Sequence, residues 1–174
     1  ALLNDSKYGH DIRDNVTRLT LLRAPTEPDP TADQGEHRFA YSFRPHGPFA
    51  PSAVAAAAYA LNDPILVVGR VGNPPLSATE ERGANPPYSL LGVDAPNVII
   101  ETIKPAEGGD GIIVRLYECE RRRGPVALRV GFPLRAAWRT NLLEENEAAL
   151  VVDDNAVQLN VRPFQIVTLR CTFD

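Results

Sequence analysis

Period-two alternation in short runs, punctuated by proline, glycine and aspartate, dominates this chain. Residues 16–22 are β-branched and apolar, which is strand composition. The clearest case is residues 38–44, where Phe39, Tyr41 and Phe43 fall on one face and Arg38, Ser42 and Arg44 on the other. That pattern predicts a half-buried antiparallel strand with one wet side. Between these two runs, Pro25, Pro28 and Pro30 leave room only for an extended surface loop. One helix is predicted over residues 52–61, with Ser52 as N-cap, an alanine-rich body and a stop at Asn62-Asp63-Pro64.

Strands return later at regular spacing. Residues 65–68 form a short apolar run, and residues 69–87 a polar connector rich in proline and glycine that reads as a module boundary. Residues 98–103, 112–117, 126–132, 148–152, 157–161 and 166–173 each carry strand composition. Turn signals separate them at 107–111, 123–125 and 153–155, which predicts a β-sandwich. Residues 136–147 are ambiguous and fit a strand followed by a loop. Arg121-Arg122-Arg123 reads as the solvated tip of a hairpin. The expected organisation is therefore all-β: terminal strands over 1–50, the helix and connector over 51–87, and a small antiparallel sandwich over 88–174.

Composition narrows the function classes. With 174 residues the chain is long enough to bury a core, and its net charge of −4 lacks the basic stripe that nucleic acid requires. No apolar run approaches the roughly 20 residues of a membrane helix. The two cysteines, Cys119 and Cys171, fit either a disulfide or two thiols. Buried thiols in a reducing, cytoplasmic setting are the preferred reading. The three histidines, His10, His37 and His46, make no metal-ligand spacing, so no cofactor is expected on this chain. The absence of methionine and the start at Ala1 suggest a fragment or a processed chain.

Particular residues then point to a family. Ala1-Leu2-Leu3-Asn4-Asp5-Ser6-Lys7-Tyr8-Gly9 resembles the ALLNDxKYG signature of family 38 glycoside hydrolases, α-mannosidases of the bacterial and fungal vacuolar type. Asn15 to Pro25 is similar to that family's GNVLRLSLLRAP, with Asp14 where the family has glycine. Pro28-Asp29-Pro30, Ala32 to Tyr41 and Pro45-His46 resemble its PDxxADxGxHxFxY run and the PH after it. Late in the chain, Arg115-Leu116-Tyr117-Glu118 and Pro163 to Leu169 resemble RLYE and PFEIxTL, with Gln165 in place of glutamate.

The resemblance implies the C-terminal β region of a retaining exo-α-mannosidase, residues 1–50 being terminal strands of a larger β-supersandwich. In such enzymes a carboxylate nucleophile and a second carboxyl group do the chemistry, and zinc grips the mannose hydroxyls. All of that lies in an N-terminal catalytic domain, so this chain alone would be inactive, with that domain as its partner and α-mannosides reached through the parent. Asn4, Asp5, Lys7 and Tyr8 are candidates for the sugar cleft or the interdomain contact, against a plain polar turn. Asp33 and His37, with Gly35, are candidates of the same kind, and loop bracing is the preferred reading. Tyr117 and Trp138 are expected as core or interface aromatics in preference to sugar-stacking platforms. Strands missing their neighbours would present unpaired edges or apolar surface, which predicts self-association or poorly ordered N-terminal strands. The alternatives are a stand-alone carbohydrate-binding sandwich and a plain interaction domain.

Overall fold

A computed structural model describes residues 1–48, 50–66 and 89–173. The chain divides into two compact units, Ala1–Phe49 with Ala53–Val68, and Ala50–Ser52 with Gly69–Asp174. The connector expected over 69–87 and most of the run at 65–68 lie outside the described residues; Ile65 and Leu66 themselves are exposed and in no strand.

The first unit holds two small ladders and a helix. β1 (Leu2–Asn4) pairs antiparallel with β4 (Tyr41–Phe43), Leu2 opposite Phe43 and Asn4 opposite Tyr41. β2 (His10–Arg13) and β3 (Val16–Leu19) make a hairpin with Arg13 opposite Val16. β1 and β2 are not signalled by the sequence, because neither alternates. β3 stops at Leu19, short of the expected Leu22. The half-buried strand at 38–44 is corrected: only Tyr41 to Phe43 is strand, and Tyr41 and Phe43 are 59% and 75% exposed. Three residues of β1 are its only ladder among the described residues, and its two aromatic side chains stay exposed. Tyr8, Ile12 and Val16 are exposed as well, so the apolar surface expected of these strands is present.

The β2–β3 turn has two residues, and Asp14 occupies its first central position at φ 53°. This left-handed setting is where the resembling family carries glycine, which reaches it without steric cost. Asp14→Gly is expected to stabilise the hairpin by about 0.5–1 kcal/mol. Slower amide exchange across Asp11 to Arg18 would register the gain, and unchanged exchange would refute it.

α1 (Pro51–Asn62) agrees with the expected helix but begins one residue earlier. Pro51 opens the first turn, where its missing N–H costs nothing. Ser52 is therefore not the N-cap; its hydroxyl donates to Glu120 Oε1 at 2.5 Å. Among the described residues no helix is long and apolar enough to cross a membrane.

The second unit is the expected antiparallel sandwich. Its strands are β5 (Leu91–Val93), β6 (Val98–Pro105), β7 (Ile112–Glu118), β8 (Gly124–Val130), β9 (Leu134–Thr140), β10 (Asn146–Leu150), β11 (Val152–Asp153), β12 (Ala156–Val161) and β13 (Ile166–Phe173). One sheet runs β10-β9-β13-β7-β6 and the other β11-β12-β8-β5. The ambiguous 136–147 stretch resolves into β9, a turn and the start of β10. Inward positions of both sheets, Val114, Leu116, Val126, Leu128, Val157, Leu159, Val167 and Leu169, form the buried core. Both cysteines are free thiols, Cys171 fully buried and Cys119 partly. Burial pushes the Cys171 thiol up to about 11.

The arginine run is exposed as expected, but it is not a hairpin tip. β7 belongs to the five-stranded sheet and β8 to the four-stranded one, so residues 119–123 cross between layers. Residues 94–97, between β5 and β6, and 162–165, between β12 and β13, also cross. What holds the three crossings is the clearest polar construction in the molecule.

Candidate functional site

The sequence-derived candidates in the first unit form two separate groups. Asn4 ends β1, and its Oδ1 accepts the Lys7 amide at 2.5 Å, which turns the chain back at Asp5 and Ser6. Asp5 exchanges backbone and side-chain bonds with residue 40: its N–H donates to the Ala40 carbonyl (3.2 Å), and its Oδ2 accepts the Ala40 amide (2.9 Å). That amide, with the Ser6 hydroxyl, holds the Asp5 carboxyl below its usual range. The Lys7 ammonium sits 4.5 Å above the Phe39 ring. Tyr8 is 93% exposed, its ring projecting away from the turn.

Asp33 and His37 brace the proline-rich loop. Asp33 stands at φ 60°, its Oδ2 accepts the Ala24 amide at 2.9 Å, and its carbonyl accepts His37 Nε2–H at 2.8 Å. Among the described residues no hydrogen bond joins this brace to the Asn4–Lys7 turn. Nor do His, Cys, Asp and Glu side chains gather in threes where a metal ion could be held.

In the second unit, sequence reasoning overlooked Glu118. Its side chain is 1% exposed and lies on the core side of β7, in line with Ile112, Val114 and Leu116. Glu118 Oε1 accepts Asn97 Nδ2–H (2.9 Å) and the amides of Glu120 (2.8 Å) and Arg122 (2.9 Å). Oε2 accepts the Phe164 amide at 2.9 Å. One carboxylate thus ties all three crossings between the sheets at one end of the sandwich. Burial alone would raise its pKa, but the four donors to the charged form prevail and hold it at about 2. The signal was available: a glutamate at the fourth inward position of an alternating strand must find partners or destabilise the core. Tyr117 and Trp138 are both partly buried, on β7 and β9.

With this geometry in hand, two family profiles match in order along the chain. The "Glycosyl hydrolases family 38 C-terminal domain" covers residues 1–31, and the "Glycosyl hydrolases family 38 C-terminal beta sandwich domain" covers 97–169, from Asn97 through β13. The chain belongs to the C-terminal region of glycosyl hydrolase family 38. Among curated relatives, human "Alpha-mannosidase 2C1" is 37% identical over 97% of this chain, which corresponds to 16% of the relative. "Alpha-mannosidase G" of Dictyostelium discoideum is 31% identical over 98% of the chain and 16% of the relative. The Saccharomyces cerevisiae "Alpha-mannosidase" is 26% identical over 99% and 17%. The chain thus spans about a sixth of the length of these relatives. The first profile ends at residue 31, within the first unit, and the second covers most of the sandwich.

Proposed function

We propose that this chain is the C-terminal, non-catalytic part of a zinc-dependent, retaining exo-α-mannosidase. The reading is carried by the two family-38 C-terminal profiles, matched in order, and by α-mannosidases aligning over nearly the whole chain. The first unit packs its exposed apolar residues, Ile12, Val16, Tyr41 and Phe43, against the rest of a larger β domain in the parent. Two-stranded ladders are marginal in water, and pairing with further strands removes that weakness. The Asn4–Tyr8 turn lies at the contact with the catalytic domain, with Lys7 and Tyr8 reaching the sugar cleft, while Asp33 and His37 hold the loop behind it. The zinc and both catalytic carboxylates belong to the catalytic domain, and the protein acts in the cytoplasm.

The full-length parent is expected to release p-nitrophenol from its α-mannopyranoside with retention at the anomeric carbon. A chelator should abolish this and zinc restore it, while the 174-residue chain shows none. In the parent, Lys7→Ala with Tyr8→Ala should raise KM more than it lowers kcat, by about tenfold. A full-length protein inert toward α-mannosides would overturn the reading.

A further inference from the structure

On the outer face of the five-stranded sheet a cavity of about 430 Å³ opens between β6, β7 and β13. Its apolar walls are the rings of Tyr117 and Phe164 and the side chain of Ile166, and its polar walls are Glu101 and Arg115. Three local features are built toward it. Glu101 is a bulge residue, since Ile100 pairs with Leu116 and Thr102 with Arg115, leaving Glu101 unpaired in the ladder. A bulge re-aims the side chain it carries. Arg115 is oriented by Nε donating to Thr168 Oγ1 at 3.3 Å.

The third feature is Phe164. It follows Pro163 in a turn closed by the Gln165 amide on the Arg162 carbonyl at 3.1 Å, and its φ is 58°. This is the position of a proline-led turn that glycine fills at no cost. A bulky aromatic there is strained, and its ring still stands 65% exposed. Glu118 holds it in place through its amide. A strained residue that gains no burial points to a use for the displayed side chain.

We propose that this cavity is a hexopyranoside subsite, in which the Phe164 and Tyr117 rings carry the apolar face of the sugar. Arg115 donates to ring hydroxyls and Glu101 accepts from them, so the vicinal hydroxyls of a pyranose meet both hydrogen-bonding senses at once. An apolar peptide side chain would use the rings and leave the guanidinium and carboxylate without a role. The choice of sugar rests on the α-mannosidase reading of the parent, so methyl α-mannopyranoside is the probe.

The test is an NMR titration of the 174-residue chain. A saturable shift at Phe164, Ile166 and Glu101 is expected, with a dissociation constant in the millimolar range. Phe164→Gly relieves the turn, so that variant should unfold at higher urea yet bind at least about tenfold more weakly. Arg115→Met should weaken binding to a similar extent. No saturable shift by about 100 mM sugar, a value weaker than any useful subsite, overturns the proposal. So does undiminished binding in Phe164→Gly, or preferential binding of N-acetylphenylalaninamide, which would mark a peptide-docking pocket. Hydrolysis by the full-length parent without binding here refutes the subsite and leaves the mannosidase reading standing. Binding here with an inert parent does the reverse.

Discussion

Glu118→Ala is expected to destabilise the sandwich by about 3–5 kcal/mol, a large part of the stability of a domain this size. The substitution removes one acceptor group and strands four donors: Asn97 Nδ2 and the amides of Glu120, Arg122 and Phe164. Each buried donor left unpaired costs about 1–3 kcal/mol, offset in part where water enters the crossings. Glu118→Gln keeps the shape but loses the charge and sets an NH₂ against donors, so an intermediate loss is expected. The pH dependence follows from the direction of the shift. The carboxyl titrates at about 2 in the folded chain against 4.5 ordinarily, so its contribution is complete above pH 4.5 and fades as pH falls toward 2. Urea unfolding of the native chain and Glu118→Gln at pH 7 and near pH 3 checks this: the gap between them should narrow in acid. A gap that stays constant, or widens, would show that the charge is not what ties the crossings.

The sandwich was legible in the sequence because apolar and polar residues alternate along its strands, as Val167, Leu169 and Cys171 do with Thr168, Arg170 and Thr172 in β13. β13 matches its expected bounds at both ends. The strands that were missed lack that pattern for physical reasons. β1, β2 and β5 are three or four residues long, too short for alternation to register, and β2 buries nothing. The half-buried strand at 38–44 misled because alternation reports the face a strand would bury, and here Tyr41 and Phe43 on that face stay exposed. The arginine run misled for a related reason: a turn signal gives the position of a reversal, and the sheet of each flanking strand depends on pairings more distant in sequence. Among site residues, Asp33 was readable as a turn former, and it stands at φ 60°. The burial of Glu118 was readable from its place in the alternation, but its partners were not, since three of its four donors are backbone amides, which every residue but proline carries.

Gly111→Ala is expected to cost about 3 kcal/mol or more, well beyond the usual penalty for leaving glycine. Gly111 precedes β7 at φ 86°, a conformation an alanine holds only under strain. The larger cost is spatial. A Cβ there would lie 2.0 Å from the Cys171 carbonyl oxygen and 2.9 Å from its carbon, and both are backbone atoms of β13. Relief requires β13 to move away from β7 where Ile112 pairs with Cys171, which opens the ladder at the centre of the five-stranded sheet. Gly109, two residues earlier, supplies the control. Its φ of 77° is also left-handed, but a Cβ there meets nothing within 4 Å. Gly109→Ala should therefore show the conformational penalty alone, about 1–2 kcal/mol. Urea midpoints for the two variants separate the effects, because the conformational term is common to both and the backbone clash is not. Equal losses would mean that β13 yields at Cys171 with little cost, and that this edge of the core is looser than its close packing implies.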